Sequence, residues 1–499
     1  MTVNDIEIIR SWKDECGVFG VWNCGTGDAA RLTYLALYAM QHRGQEACGI
    51  VTLDNPKQVQ HAYKGLGLVG DVFNEKILAN LHGDSGIGHV RYSTAGENTI
   101  LNTQPLTSNL LNGPVALAHN GNIVNQDLLR EALKKQGAIF QGTNDTEVFM
   151  HLIARHESND LMTALYDAVQ HCIGAYSMVV LSHDKLIAIR DPLGLRPLVL
   201  GQMLEARQSG RDNGYVIASE SCAFDLIGAE LIREIEPGEC LQISNEGLVS
   251  KKLPKAETDK AFTKTKAQCV FEHVYFARPD SIVFGLSVYE SRKNFGKALA
   301  EEDRKFIEAQ IEKFDYVIPV PDSGIAAALG YSQQSGIPLE FGIIRNHYVG
   351  RTFIQPLQAI RDFGVRVKLN AQASVLNGKK IVVIDDSLVR GTTSQKIITL
   401  LRQAGAREVH FRIASPPTLS PCYYGVDTPD KEHLIAAKQS IESIQKYIGA
   451  DSLKYLSIEG MFKALARRPD EFCSACFTGD YPTSLNGVRK SKKPTSLIN

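Results

Sequence analysis

Two adjacent acids, then a glycine followed by hydroxyls, form the densest chemical stretch in the chain: Asp385-Asp386-Ser387-Leu388-Val389-Arg390-Gly391-Thr392-Thr393-Ser394. The carboxylates do not suit a phosphate, but they suit ribose hydroxyls or a Mg²⁺ ion. Gly391 lets backbone approach an anion closely, and the threonines and Ser394 add hydroxyl donors beside Arg390. The elements that must position these groups are legible on either side. Ile381 to Ile384 is a continuous apolar run suited to a buried parallel strand. Ile397, Ile398 and Leu401 are spaced for one face of a helix. In an open α/β sheet ligands bind beyond the carboxyl ends of the strands, where a helix N-terminus offers N–H groups to a phosphate. The stretch therefore reads as a site for a phosphorylated sugar. The plainer alternative is a strand ending in solvated acids and an N-capped helix.

A second set of reactive residues lies near the start. Cys16, in Glu15-Cys16-Gly17-Val18-Phe19-Gly20, reads either as a small hydrophobe opening a buried strand or as a nucleophile. If residues 1–15 were removed, Cys16 would carry its own base, because an α-amine titrates near ~8 and can relay the thiol proton. Four further patches follow: Gln41-His42-Arg43-Gly44-Gln45-Glu46, Gly88-His89-Val90-Arg91-Tyr92-Ser93-Thr94, Ala118-His119-Asn120-Gly121-Asn122 and Gly142-Thr143-Asn144-Asp145-Thr146-Glu147. Each alone suits a structural role: a polar turn, a strand, an Asn-Gly hairpin turn and a helix N-cap with an acid in its first turn.

The whole chain bounds these readings. Its 499 residues exceed one core and predict two or three domains. Fifty-four basic and 55 acidic residues give a net charge of −1, which argues against a nucleic-acid binder. No apolar run approaches the ~18 residues that span a membrane, and the first fifteen residues have no apolar signal core. A cytoplasmic location is the expectation. The ten cysteines are then thiols, a nucleophile or metal ligands rather than disulfides. Short strands are expected at Tyr176 to Leu181, Leu186 to Ile189 and Tyr215 to Ala218, and a Lys-rich connector leads to a second half.

Val382-Val383-Ile384-Asp385-Asp386-Ser387-Leu388-Val389-Arg390-Gly391-Thr392-Thr393 resembles the phosphoribosyl-diphosphate (PRPP) signature of type I phosphoribosyltransferases. The ordered set ECGVFG, QHRGQE, GHVRYST, AHNGNI and TNDTE resembles the glutamine amidotransferase domain of the N-terminal-nucleophile class, across about residues 16 to 235. Both halves together resemble the glutamine PRPP amidotransferases. The resemblance implies a two-domain α/β protein. An αββα sandwich at 16–250 follows a propeptide at 1–15. A linker at 251–268 precedes a phosphoribosyltransferase domain with a parallel sheet at 269–485, and a tail occupies 486–499.

It also implies roles. Cys16 would attack the glutamine amide, with Asn120 and Gly121 holding the oxyanion. Arg91 would grip the α-carboxylate and Asp145 the α-ammonium, with Arg43 and Gly44 on a loop closing over glutamine. Asp385 and Asp386 would hold the ribose hydroxyls and Gly391, Thr392 and Thr393 the 5′-phosphate, with Arg390 also among the PRPP-binding residues. Ser323, in the Pro321-Asp322-Ser323-Gly324 turn, would join Asp385 and Asp386 around one Mg²⁺ per subunit. Arg351 would reach the diphosphate from a loop that orders over PRPP. Asp191 to Pro197 fits as an architectural double-Pro turn.

Cys473 and Cys476 form a CxxC that Cys269 and Cys422 complete to four thiols, which suit zinc or an iron–sulfur cluster equally on residue type. Part of the family carries a [4Fe–4S] cluster together with a propeptide, so the resemblance implies one such cluster per subunit. The implied substrates are glutamine and PRPP, with purine nucleotides as feedback inhibitors, neither nucleic acid nor membrane as partner, and a homotetramer as the assembly. Two rivals lack support in the residues. Another glutamine-dependent synthase would share the front half but not the PRPP signature, and a PRPP-sensing DNA-binding regulator would need neither the Cys16 set nor the loop of Arg351.

Overall fold

The computed structural model describes residues 16–485, apart from 26, 55–56, 93–98, 112, 159, 209–213, 254–263, 347–368 and 427. The expected propeptide, the tail and Arg351 lie outside the described residues. In the front half, two antiparallel sheets face each other. The first contains β1 (Gly17–Trp22), β2 (Ala47–Asp54), β3 (Val59–Leu66) and β4 (Ser85–Arg91). The second begins with β5 (Leu106–Leu110), β6 (Gly113–Ile123), β7 (Gly174–Leu181) and β8 (Lys185–Arg190). The chain then adds β9 (Val199–Met203), β10 (Tyr215–Ala218) and β11 (Ala229–Glu234) to the first sheet, and β12 (Glu239–Ser244) and β13 (Gly247–Lys252) to the second. The orders are β11-β9-β10-β1-β4-β2-β3 and β13-β12-β8-β7-β6-β5.

The period of two in a strand explains the layering. Val18 and Trp22 of β1 point between the sheets, with Val51, Ala116, Ala118, Val179 and Leu186. Phe19 and Val21 point outward, onto the helices Ala29–Ala39 and Cys222–Ile227. On the other outer face, Val115 and Leu117 meet the helices Thr146–Ala154 and Leu161–Gln170. The result is the expected αββα sandwich. β13 carries the hairpin to Lys252, and Lys251 and Lys252 are exposed on this edge strand, where charge discourages pairing with a further strand.

The second half opens with β14 (Gln268–Cys269), the hairpin strands β15 (Ile282–Val283) and β16 (Leu286–Ser287), and the helix Val288–Glu308. Its centre is a parallel sheet of β17 (Tyr316–Pro319), with β18 (Ile343–Arg345) and β19 (Leu369–Ala371) as a side ribbon, then β20 (Lys380–Asp385), β21 (Glu408–Ile413) and β22 (Ser452–Tyr455). The sheet order is β17-β20-β21-β22. Ile381, Val383, Ile397, Ile398 and Leu401 share one apolar cluster, so the expected strand and helix pack face to face. Val382 and Ile384 point to the opposite face, toward Phe295 and Leu299. A last strand, β23 (Phe472–Cys473), returns to pair in parallel with β14.

Candidate functional site

The first centre forms where β1, β4 and β6 end together. Cys16 precedes β1, is 7% exposed, and its Sγ lies 3.5 Å from the Tyr92 carbonyl oxygen to which it donates. Register pairs Gly17 with Val90, so Cys16 and Arg91 stand one residue beyond on neighbouring strands. A contact of 3.1 Å between His89 Nε2 and the His119 carbonyl ties this end to the second sheet. Burial, with the Arg91 charge nearby, lowers His89 to about 3, so the ring is neutral.

The Asn120-Gly121 pair departs from its expected hairpin turn. It lies inside β6, opposite Ser177 and Tyr176 of β7. The tertiary ladder overrides the local turn preference, and the glycine is required for another reason. Gly121 has φ +146°, and a Cβ there would stand 2.1 Å from the Ala175 carbonyl oxygen. Asn120 is 1% exposed, and its Nδ2 has no hydrogen-bond partner. A buried donor left unsatisfied costs about 1–3 kcal/mol, a cost that an incoming acceptor would remove.

Asp145 heads the helix Thr146–Ala154, yet it makes no cap with its side chain. Asn144 does so instead, accepting the Glu147 N–H at 3.1 Å. The Asp145 carboxylate is thereby directed inward. Its Oδ2 accepts the Ile123 N–H at 2.9 Å, and its Oδ1 lies 3.7 Å from His119 Nδ1. Gly44 packs directly on β4: a Cβ would sit 2.6 Å from the Arg91 amide nitrogen.

Arg43, expected with Gly44 on a loop closing over glutamine, turns its side chain into the joint between the two halves. Its guanidinium is fully buried, with Nε on Glu220 and Nη2 donating to Glu272 at 2.5 Å. Glu220 belongs to the front half and Glu272 to the second. Glu220 also accepts from the Arg278 N–H at 2.9 Å and the Ser281 hydroxyl at 2.7 Å, and meets His42 Nε2 at 2.7 Å. Arg196 approaches Glu272 at 3.6 Å and donates twice to the Tyr424 carbonyl, at 2.8 and 2.7 Å. Burial alone would raise the Glu220 carboxyl, but the charges of Arg43 and His42 hold it well below the usual range. Arg43 is thus a joint between the halves.

The second centre lies at the carboxyl end of β20. Asp385 closes the strand, Asp386 follows, and both are buried. Burial and the neighbouring Asp386 raise Asp385 well above the ordinary carboxyl range. Burial also raises Asp386, opposed by hydrogen bonds from Ser323 and Ser387 and by the charge of Arg292. Ser323 is thereby brought to the acids, as expected. Gly324 makes this possible: a Cβ there would meet the Ile384 carbonyl oxygen at 2.5 Å, so the Pro321–Gly324 turn lies on the strand end. Gly391, at φ +77°, turns the chain into the helix Thr392–Gln403, placing Arg390, Thr392 and Thr393 at its N-terminus. Two buried carboxylates with a hydroxyl fit the hard oxygen set that holds Mg²⁺ together with substrate oxygens.

Arg292, whose charge opposes the rise of Asp386, donates to the carbonyls of His273, Tyr275 and Ala277 at 3.0, 2.6 and 2.7 Å. Those carbonyls belong to or adjoin the π-helical turn Glu272–Phe276, which carries the partner of Arg43. None of Glu220, Glu272 and Arg292 was legible as functional from sequence. The available signal was a single acid set among aromatics, in Val270-Phe271-Glu272-His273-Val274-Tyr275-Phe276, where an ion needs a buried partner.

The four expected cysteines do converge. Cys269, Cys422, Cys473 and Cys476 line one small cavity, with Leu195, Phe271 and Tyr481. β14 and β23 pair Cys269 with Cys473. Burial, with Cys422 nearby, pushes the Cys473 thiol up to about 12. Among the described residues no three His, Cys, Asp or Glu side chains are placed to hold a single metal ion.

The sandwich with the Cys16 thiol at the edge of β1 and the parallel sheet with its acid pair define a glutamine amidotransferase domain joined to a phosphoribosyltransferase domain. Residues 89–225 match the family model described as a glutamine amidotransferase domain. The chain is 51% identical over 479 residues to the chloroplastic amidophosphoribosyltransferase 1 of Arabidopsis thaliana, covering 96% of this chain and 80% of that one. It is 47% identical over 482 residues to the amidophosphoribosyltransferase of Bacillus subtilis, covering 96% of each. Among solved structures, an allosteric regulatory enzyme of purine biosynthesis superposes with a TM-score of 0.85 at 45% identity, over 94% of this chain and 97% of that one. The glutamine PRPP amidotransferase of B. subtilis, complexed with ADP and GMP, gives a TM-score of 0.84 at 45% identity, over 94% and 98%. The chain belongs to the amidophosphoribosyltransferase family.

Removing one member of the buried joint leaves the other charges uncompensated. Glu220→Gln is expected to cost about 3–5 kcal/mol at pH 7, measured by denaturant unfolding. The native carboxyl is held below its unfolded value of about 4.3, so its contribution is present above that pH and is lost as pH falls through the native value. The variant should therefore lose less stability than the parent between about pH 5 and pH 3, and equal losses would contradict this assignment.

Proposed function

We propose that this protein transfers ammonia from the amide of glutamine to C1 of PRPP, giving 5-phosphoribosylamine, glutamate and diphosphate, the step that opens purine nucleotide synthesis. The observation that carries the reading is the unpartnered, buried Asn120 Nδ2 beside Gly121 at the Cys16 end of the sandwich, in one chain with a buried acid pair at a strand terminus. Once residues 1–15 are removed as a propeptide, the Cys16 amine takes the thiol proton and the sulfur bonds to the amide carbon. The oxygen charge that develops falls between Asn120 Nδ2 and the Gly121 N–H, an arrangement worth several kcal/mol. The C–N bond breaks, the amine proton leaves with ammonia, and water hydrolyses the thioester to glutamate. Arg91 orients the α-carboxylate as a fork and Asp145 pairs with the α-ammonium. Gly44 fixes the end of β4 that carries Arg91.

At the second centre Asp385 and Asp386 hold the ribose hydroxyls, and Arg390, Gly391, Thr392 and Thr393 cradle the 5′-phosphate. Asp385, Asp386 and Ser323 would hold a Mg²⁺ ion, which when bound neutralises the diphosphate leaving group. Arg351 is assigned to the diphosphate by resemblance. Ammonia bonds to C1 as the C1–O bond to diphosphate breaks, and one ammonium proton goes to solvent. Water excluded from C1 cannot compete with ammonia.

The thiols of Cys269, Cys422, Cys473 and Cys476 would hold a [4Fe–4S] cluster, which when bound ties the last segment to the start of the second half. Four thiols would suit zinc or a cluster equally, and the resemblance to the propeptide-bearing part of the family supports the cluster. Feedback by purine nucleotides is supported by the ADP and GMP complex of the B. subtilis relative. Resemblance supports a homotetramer and a cytoplasmic setting, while the plant relatives are chloroplastic. Among the described residues no helix is long and apolar enough to cross a membrane.

Cys16→Ala is expected to abolish glutamate release while ammonium chloride still supports diphosphate release from PRPP. Continued glutamine hydrolysis by that variant would remove Cys16 from the nucleophile's role. Anaerobically purified protein should contain four iron and four sulfide per chain, and Cys473→Ser should lower both. Stoichiometric zinc in place of iron would contradict the cluster.

A further inference from the structure

The strand that carries the proposed oxyanion donors is gripped from the other half of the molecule. Asn122, two residues past Asn120, donates from Nδ2 to the Tyr423 carbonyl at 2.9 Å. Gly425 lies against Gly121 itself. With φ +110° it already favours glycine, and a Cβ there would stand 3.1 Å from the Gly121 carbonyl carbon, 3.2 Å from its Cα and 3.3 Å from its oxygen. On the opposite side Gly121 is equally confined, since its own Cβ direction meets the Ala175 carbonyl of β7. Gly121 is therefore held in a slot one backbone wide, with β7 as one wall and the Tyr423–Gly425 segment as the other.

That outer wall is itself fixed. The bidentate hydrogen bonds of Arg196 hold the Tyr424 carbonyl between the two residues at issue. The Tyr424 hydroxyl meets Thr483 Oγ1 at 2.9 Å. A donor aimed at an oxyanion is effective only if its backbone does not yield when charge develops. β6 alone cannot supply that rigidity at Gly121, whose own torsional freedom is the largest of any residue.

We infer that Tyr423 and Gly425, acting through Asn122 and Gly121, are positioning residues for glutamine hydrolysis contributed by the phosphoribosyltransferase half. The inference rests on the oxyanion reading of Asn120 and Gly121. It predicts that loosening this wall weakens transition-state binding without affecting ground-state binding of glutamine or the chemistry at PRPP.

The test compares Asn122→Ala and Gly425→Ala with Asn120→Ala in the full-length protein. Three quantities are measured: glutaminase kcat and KM with PRPP and Mg²⁺ present, ammonia-dependent diphosphate release, and inhibition by glutamate γ-semialdehyde relative to L-glutamate. With the aldehyde, the Cys16 sulfur bonds to the carbonyl carbon while the oxygen gains the electron pair and enters the proposed hole. L-Glutamate makes no such bond. In Asn122→Ala and Gly425→Ala, kcat and aldehyde affinity should fall together, by roughly 10- to 100-fold. The KM for glutamine, inhibition by L-glutamate and the ammonia-dependent rate should hold. Unchanged kcat and aldehyde affinity in Asn122→Ala, alongside a loss of both in Asn120→Ala, would overturn the positioning role and keep the oxyanion reading. If Asn120→Ala also leaves both unchanged, the oxyanion reading itself fails. Should Gly425→Ala lose the ammonia-dependent rate as well, its fold has failed and the Asn122→Ala result decides.

Discussion

One buried ionic joint holds the two halves in register. Arg43 sits between Glu220 and Glu272, and Arg196 approaches the same Glu272 from the Asp191–Pro197 turn. Ions this deeply buried persist only when each charge is met, so the arrangement tolerates little sliding of one half on the other. The loop carrying Arg43 also carries Gly44, which packs on the strand end of Arg91. The π-helical turn carrying Glu272 is buttressed by Arg292, whose charge also acts on Asp386.

This arrangement explains why neither centre is confined to its own domain. The strand that carries Asn120 and Gly121 meets Tyr423 and Gly425, which lie one and three residues past the cavity cysteine Cys422. Glu220, from the sandwich, orders the backbone at Arg278 and Ser281 in the second half.

Much of the fold was legible from sequence because local signals agreed with the tertiary structure. The apolar run Ile381 to Ile384 is a buried strand, and Ile397, Ile398 and Leu401 form the buried face of the next helix. The four cysteines, grouped by type and family resemblance, line one cavity. Where local signals misled, a specific competing force is visible. Asn120-Gly121 favours a turn in isolation, yet pairing with β7 draws it into a strand. Arg43, expected on a loop closing over glutamine, sits in a polar turn, and only the folded chain shows its two acid partners, 177 and 229 residues away. Contacts at that separation leave no periodic trace in a single sequence.

The most direct test of the account is glutamate release from glutamine with Mg²⁺, with and without PRPP, in anaerobically purified protein. The account predicts a large PRPP-dependent rise matched mole for mole by diphosphate release. Glutamate release indifferent to PRPP would contradict it, leaving an amidotransferase domain whose ammonia goes to a different acceptor.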